Sequence, residues 1–156
     1  AVADAGALAA ARDRILTAAR THAPAAQLDG VLVQPMATGL GEVLVGFARD
    51  AEAGPVVTVA PGGILAELYG DAATRTAPVN AATAREMIAE VKGLAPLAGY
   101  RGLPKGDLTA LAEAVAAFSQ LALAAPAVSE AEINPMIVRV EGEGVIAVDG
   151  LLRLTT

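Results

Sequence analysis

The 156 residues carry 17 acidic against 11 basic side chains, a formal net charge of −6, with 54% hydrophobic, 18% charged and 3% aromatic residues. This composition excludes a disordered chain and allows burial of about two thirds of the unfolded surface as one domain. The acidic balance excludes a nucleic-acid binder, the lack of cysteine excludes disulfide and thiolate chemistry, and no apolar run reaches the roughly 18 residues of a membrane span. No signal peptide is evident, so the cytoplasm is the expected compartment.

Ala1 to Arg20 is alanine-rich and reads as a helix with a weak apolar face at Leu8, Ile15 and Leu16. The chain starts without Met, so a piece of something longer is expected. His22 follows in a Thr-His-Ala-Pro helix exit and reads as a surface residue. Gly30 to Met36 is a short apolar run, expected to be a buried strand ended by Pro35. After a Gly-Leu-Gly turn, Glu42 to Asp50 reads as its neighbouring strand; the alternative is an ordinary hairpin with Met36 in the core.

Gly54 to Ala60 is a turn leading into a third strand. Gly62 and Gly63 then open a short helix over 61–67, where free amides suit an oxyanion or phosphate, although glycines serve any tight turn as well. Arg75 is either a cation beside a cleft or the ion-pair partner of Asp71. Residues 81–92 form a helix stopped at Gly93 and capped by Asn80 or by a Thr83–Glu86 box. From Asp107, an N-cap, Leu108, Leu111, Val115, Phe118 and Ala122 recur at helical spacing up to Pro126 and form a core stripe.

Glu132-Ile133-Asn134-Pro135-Met136 opens a strand that runs to Val140, and Val145 to Asp149 follows a Glu/Gly turn at 141–144. With that turn, Val140 faces Val145, Asn134 faces Leu151, and Asp149 lies one diagonal step from Asn134. Side chains alternate along a strand, so Glu132 shares their face. Pro135 deletes a ladder donor and marks an edge. Two carboxylates and an amide are the oxygen donors that Mg²⁺ prefers; the competing reading is an ordinary solvated acidic face.

Glu132-Ile133-Asn134-Pro135 with the later Val148-Asp149-Gly150 resembles the C-terminal lobe of the ATP-grasp domain in NDP-forming acyl-CoA synthetases, such as ADP-forming acetate–CoA ligase and, more distantly, the β subunit of succinyl-CoA synthetase. Gly30 to Met36 with Gly41 to Asp50, Gly54 to Val57 with Gly62-Gly63, Asp71 to Pro78 and Leu97 to Gly102 follow in the order of that family. The resemblance implies that Asn134 and Asp149 bind Mg²⁺ and that Glu132 faces a phosphohistidine. Gln34 and Met36 would contact adenine, Glu42 the ribose hydroxyls, and Gly62 and Gly63 belong to the block at the active-site cleft. One departure is Ala60-Pro61, where relatives commonly carry Gly-Leu; proline removes an amide there.

The likeness covers only the second half of an ATP-grasp unit. The only lysines are Lys92 and Lys105, so cations for an anionic ligand are expected from elsewhere. The implied function is the ATP/ADP- and Mg²⁺-binding lobe of a ligase that converts a carboxylate, CoA and ATP to acyl-CoA, ADP and phosphate, with the isolated chain inactive. The expected partners are the N-terminal ATP-grasp lobe and the CoA-binding and ligase domains, on the same or a separate chain. The alternative is a non-catalytic regulatory or scaffold module attached to another enzyme, such as a protein acetyltransferase.

The expected fold is α+β: a single domain over 1–156, with a leading helix and linker over 1–29 and a core over 30–150. Its mixed, largely antiparallel sheet of about five strands is covered by helices 81–92 and 107–124. Without the first lobe, an exposed edge around Val31 to Met36 would favour self-association.

Overall fold

The computed structural model describes residues 2–63 and 70–155; the helix expected over 61–67 therefore falls largely outside the described residues. The chain divides into two compact units, Ala1–Met36 and Ala37–Thr156.

The first unit holds helix α1 (Ala5–His22), opened by Asp4, whose Oδ1 accepts the Ala7 amide at 2.8 Å. Its apolar face is as weak as the sequence indicates, for none of its side chains is buried. Leu8 and Ala9 border a cavity of about 260 Å³ with Val31 and Val33. His22 closes the helix and is exposed. Gly30 to Met36 is not the expected buried strand: it forms no ladder among the described residues, and Leu32, Val33 and Met36 are 82%, 64% and 76% exposed. Apolar content alone does not make a strand, which needs a partner for its backbone hydrogen bonds.

The second unit is built on one sheet of β1 (Gly41–Asp50), β2 (Gly54–Pro61), β3 (Ala73–Thr76), β4 (Val128–Val138), β5 (Val145–Ala147) and β6 (Gly150–Leu154). The order is β3-β2-β1-β4-β5, with β6 also paired to β4, and every pairing is antiparallel. The fold is thus α+β, as expected, with six strands. Both edges of β1 are taken, by β2 and β4, which corrects the reading of 30–36 as its neighbour.

Val43, Val45 and Phe47 of β1, with Val57 and Val59 of β2, turn one face of the sheet into the core. Against it lie α2 (Ala81–Glu90), through Met87 and Ile88, and α3 (Leu108–Ser119), through Leu111 and Val115. Each fully buried side chain of this size contributes about 1.5–3 kcal/mol. Asn80 is the cap that forms on α2, its Oδ1 accepting the Thr83 amide at 2.9 Å. Of the two readings of Arg75, the pairing with Asp71 does not occur. Asp71 accepts the amides of Lys92 and Gly93 at 3.1 and 2.6 Å, and Arg75 pairs with Glu90 of α2.

The long helix expected up to Ala124 breaks after Ser119 and resumes as the short α4 (Leu121–Ala124). Arg49, at the end of β1, gathers the carbonyls released there. Its Nε donates to Val128 O at 2.9 Å, and its Nη2 to the carbonyls of Leu121, Ala122 and Ala125. Ser119, fully buried, accepts the Val79 amide at 3.0 Å and donates to Ala116 O at 2.7 Å.

The hairpin register is shifted by two residues from the sequence reading. Val138, not Val140, faces Val145, and Glu132, not Asn134, faces Leu151. Val140 is drawn away to bridge Gly106, and the Glu141 amide donates to Lys105 O at 2.9 Å. The turn is held by Asp107, only 8% exposed, whose Oδ1 caps α3 at Ala110 N while its Oδ2 accepts the amides of Gly142 and Gly144, each at 3.0 Å. Gly142 and Gly144 adopt φ of 87° and 81°, which only glycine takes freely.

Two predictions follow from these contacts. Ser119→Ala leaves the Val79 amide without its acceptor and lowers unfolding free energy by about 1–3 kcal/mol in urea titration. The amides of Ala110, then Gly144, hold the Asp107 carboxyl below its ordinary range against the opposing effect of burial. A lowered folded-state pKa means that the unfolded chain takes up the proton first. The contribution is therefore complete above the unfolded value, about 3.9, and fades as pH falls through the folded one. Asp107→Asn flattens the acid limb of a Tm-versus-pH curve, leaving the part owed to Asp50, which the amides of Ala53 and Glu52 lower in the same sense.

Candidate functional site

The face of the sheet opposite the core is set by alternation along β1 and β4: Glu42, Leu44 and Gly46 on one strand, Glu130, Glu132 and Asn134 on the other. Glu42 pairs with Ile137 and Gly46 with Glu132. Between these pairs the register shifts, so Leu44 lies across from Asn134 and Pro135, whose peptide bond is cis. Both flanks of a six-residue stretch of β4 are thereby fixed by one central strand.

On the other side of β4, the Asn134 amide donates to Asp149 O at 3.1 Å, which puts Asp149 level with Asn134 and not on the expected diagonal. Glu132 lies one alternation away, opposite Leu151. Asp149 Oδ1 accepts the Gly150 amide at 2.9 Å, which fixes the carboxylate at the junction of β5 and β6. Asn134 and Glu132 are half-buried, whereas Asp149 is exposed.

Glu132 also borders a cavity of about 200 Å³ whose floor is Gly46 and whose walls include Thr58, Glu130 and Leu151. Glu130 is paired with Arg153 at 2.8 Å, and Thr58 shares a hydroxyl hydrogen bond of 2.9 Å with Thr74. The sequence reading did not single out Gly46, Thr58 or this hollow. The available signal was a glycine inside a strand run, which often marks a close approach from outside the sheet.

At the start of β1 a second group converges. The Gly62 amide donates to Glu42 O at 2.7 Å, and a Cβ on Gly62 would lie 2.8 Å from the Glu42 carbonyl carbon. Gly63 has φ of 89°, and its Cβ position is 3.8 Å from Glu42 Oε2. Glu42, Gly62 and Gly63 therefore meet at one end of the face. Gln34 and Met36 belong to the first unit, each exposed.

Among the described residues no three His, Cys, Asp or Glu side chains converge as a metal cage. A hard cation at the hairpin would take the Asn134 amide oxygen and the Asp149 carboxylate and fill its shell from ligand phosphate and water. That donor set fits Mg²⁺, which retains waters and uses one or two carboxylates with phosphate oxygens.

A family model described as an ATP-grasp domain matches residues 1–154. The chain is 37% identical over 132 residues to acetate–CoA ligase [ADP-forming] I of Archaeoglobus fulgidus, covering 85% of this chain and 19% of that protein. It is 38% identical over 140 residues to the β subunit of acetate–CoA ligase [ADP-forming] I of Pyrococcus furiosus, covering 90% of this chain and 60% of that subunit. The chain thus spans between about a fifth and three fifths of these relatives. Dinucleotide-forming acetyl-coenzyme A synthetase 1 from Ca. Korarchaeum cryptofilum, solved with coenzyme A, Ca-AMPCP and HgCl⁺, superposes with a TM-score of 0.88 at 30% identity. That match covers 96% of this chain and 65% of the other. In another structure of that protein, with coenzyme A and Mg-AMPPCP, a phosphohistidine segment points towards the nucleotide-binding site; it matches at a TM-score of 0.71 and 31% identity, covering 77% of this chain and 55% of the other.

The close backbone approach at Gly62 yields a direct expectation. Gly62→Ala forces a methyl group against the Glu42 backbone and destabilises the fold by about 1–3 kcal/mol, measured by urea unfolding.

Proposed function

This chain belongs to the ATP-grasp domain family, and from that premise we propose that it is the C-terminal, nucleotide- and metal-binding lobe of an NDP-forming acyl-CoA synthetase. The observation that carries the reading is the ladder position of Asn134 directly level with Asp149, with Glu132 one alternation along the same face. Two oxygen donors side by side and a carboxylate beside them are what a phosphoryl-transfer site needs for its cation and for its acceptor group.

Asn134 and Asp149 would hold Mg²⁺, which supplies neutralisation of phosphate charge when bound. Glu132, which faces the hollow over Gly46, accepts an N–H from an incoming imidazole and fixes the orientation of that ring. Glu42 accepts hydrogen bonds from ribose hydroxyls through its side chain, and Gly62 and Gly63 border that end of the cleft, the Gly62 amide being taken by the Glu42 carbonyl. Gln34 and Met36 contact adenine through their backbone, on the strength of the family likeness. The parent reaction is ATP, a carboxylate and CoA giving acyl-CoA, ADP and phosphate through an acyl phosphate and a phosphohistidine. The first ATP-grasp lobe and the CoA-binding and ligase domains complete that enzyme, from the same or another polypeptide.

Calorimetric titration with Mg·ADP tests the assignment. The chain binds Mg·ADP, and Asn134→Ala weakens that binding by at least about tenfold without a change in Tm. Equal binding by both proteins would refute the metal role of Asn134. The isolated chain produces no acyl-CoA from ATP, carboxylate and CoA, which a coupled assay detects.

A further inference from the structure

We infer that the loop Gly99–Lys105 binds the phosphate of a phosphorylated adenosine group, with Arg101 as its anion anchor. Arg101, at φ 51° and ψ 38°, is the one non-glycine residue with positive φ among the described residues. Its neighbours in the loop, Gly99 and Gly102, adopt φ of 90° and 84°. The chain thus uses glycine at two left-handed positions and retains an arginine at the third, where glycine would be relaxed. Backbone strain of this kind persists where the side chain serves something other than folding.

Nothing within the described residues occupies that side chain by hydrogen bond or ion pair; the recorded ion pairs are Arg12–Asp13, Arg75–Glu90 and Arg153–Glu130. The guanidinium instead lies 5.2 Å from the centroid of the Tyr100 ring. Tyr100 and Leu103 are 55% and 54% exposed, so a flat aromatic and an apolar surface flank the charge. Lys105 adds a second cation whose stem crosses Gly99, where a Cβ would lie 2.8 Å from Lys105 Cγ.

The loop is held rather than loose. Gly99 N donates to Pro96 O at 3.1 Å, Leu103 N to Tyr100 O at 3.1 Å and Gly106 N to Leu97 O at 2.8 Å. Leu97, at its root, packs on Gly41, so the loop is mounted at the end of β1 that carries Glu42. A pre-positioned guanidinium offers paired N–H donors to phosphate oxygens, a nearby ammonium adds charge, and an aromatic face accepts a base. In a chain of net charge −6, this cluster also answers where cations for an anionic ligand reside.

The site stands apart from the hairpin reading, since it uses none of Glu132, Asn134 or Asp149. Both a nucleoside diphosphate and the 3′-phosphoadenosine end of coenzyme A carry the required chemistry. The test titrates the full chain, without Mg²⁺, with ADP, with coenzyme A and with unphosphorylated adenosine, followed by calorimetry and amide chemical shifts. Arg101→Gly is expected to raise Tm, because glycine suits the backbone, while weakening ADP or coenzyme A by about tenfold or more. The ligand affected identifies the source, adenosine is unchanged, and Arg101→Lys binds at intermediate strength. Unchanged affinity for both phosphorylated ligands in Arg101→Gly, no binding of either by wild type, or lost binding together with a lowered Tm overturns the inference.

Discussion

One buried carboxylate ties the helical layer to the register of the sheet. Asp107 uses one oxygen to cap α3 and the other to hold two amides of the β4–β5 turn. A carboxylate with three backbone donors is satisfied only in its ionised form, so the charge is locked to the fold. With Gly142 and Gly144 fixed and Val140 diverted to Gly106, the hairpin closes at Arg139 and Gly144. Every pair below it follows from that closure, including Asn134 level with Asp149.

The second constraint is β1. Its inward side chains, Val43, Val45 and Phe47, carry the core, and its outward ones, Glu42, Leu44 and Gly46, lie along the opposite face. Both edges are used, so the strand can neither shift nor accept another neighbour. A rigid central strand of this kind suits a surface where a small displacement of a carboxylate matters. Arg49 at its far end binds the carbonyls of the broken helix, which couples the strand to α4 without an ion pair.

Charge explains the division of the surface. Three cations of the sheet unit are consumed structurally: Arg49 by carbonyls, Arg75 by Glu90 and Arg153 by Glu130. The face opposite the core along β1 and β4 carries Glu42, Leu44, Gly46, Glu130, Glu132 and Asn134, and so is richer in carboxylate than in cations. The chain, an ATP-grasp domain, spans between about a fifth and three fifths of the relatives it matches.

Composition and periodicity already determined much of this protein. The α+β class, the caps at Asn80 and Asp107, the core stripe of α3 and the shared face of Glu132 and Asn134 depend on local hydrogen bonding or on side-chain alternation, both written in short stretches of chain. The tertiary structure alone decided three further matters. Among the described residues Gly30 to Met36 forms no ladder, and the neighbours of β1 are β2 and β4, the latter distant in sequence. Arg75 pairs with Glu90 because Asp71 is occupied by the amides of Lys92 and Gly93. The hairpin register moved by two residues because Asp107, more than thirty positions from the turn it holds, took that turn's amides. A two-residue shift preserves which side chains share a face and changes only which stand opposite. For that reason the shared face of Glu132 and Asn134 was legible in the sequence, while their alignment with the neighbouring strand was not.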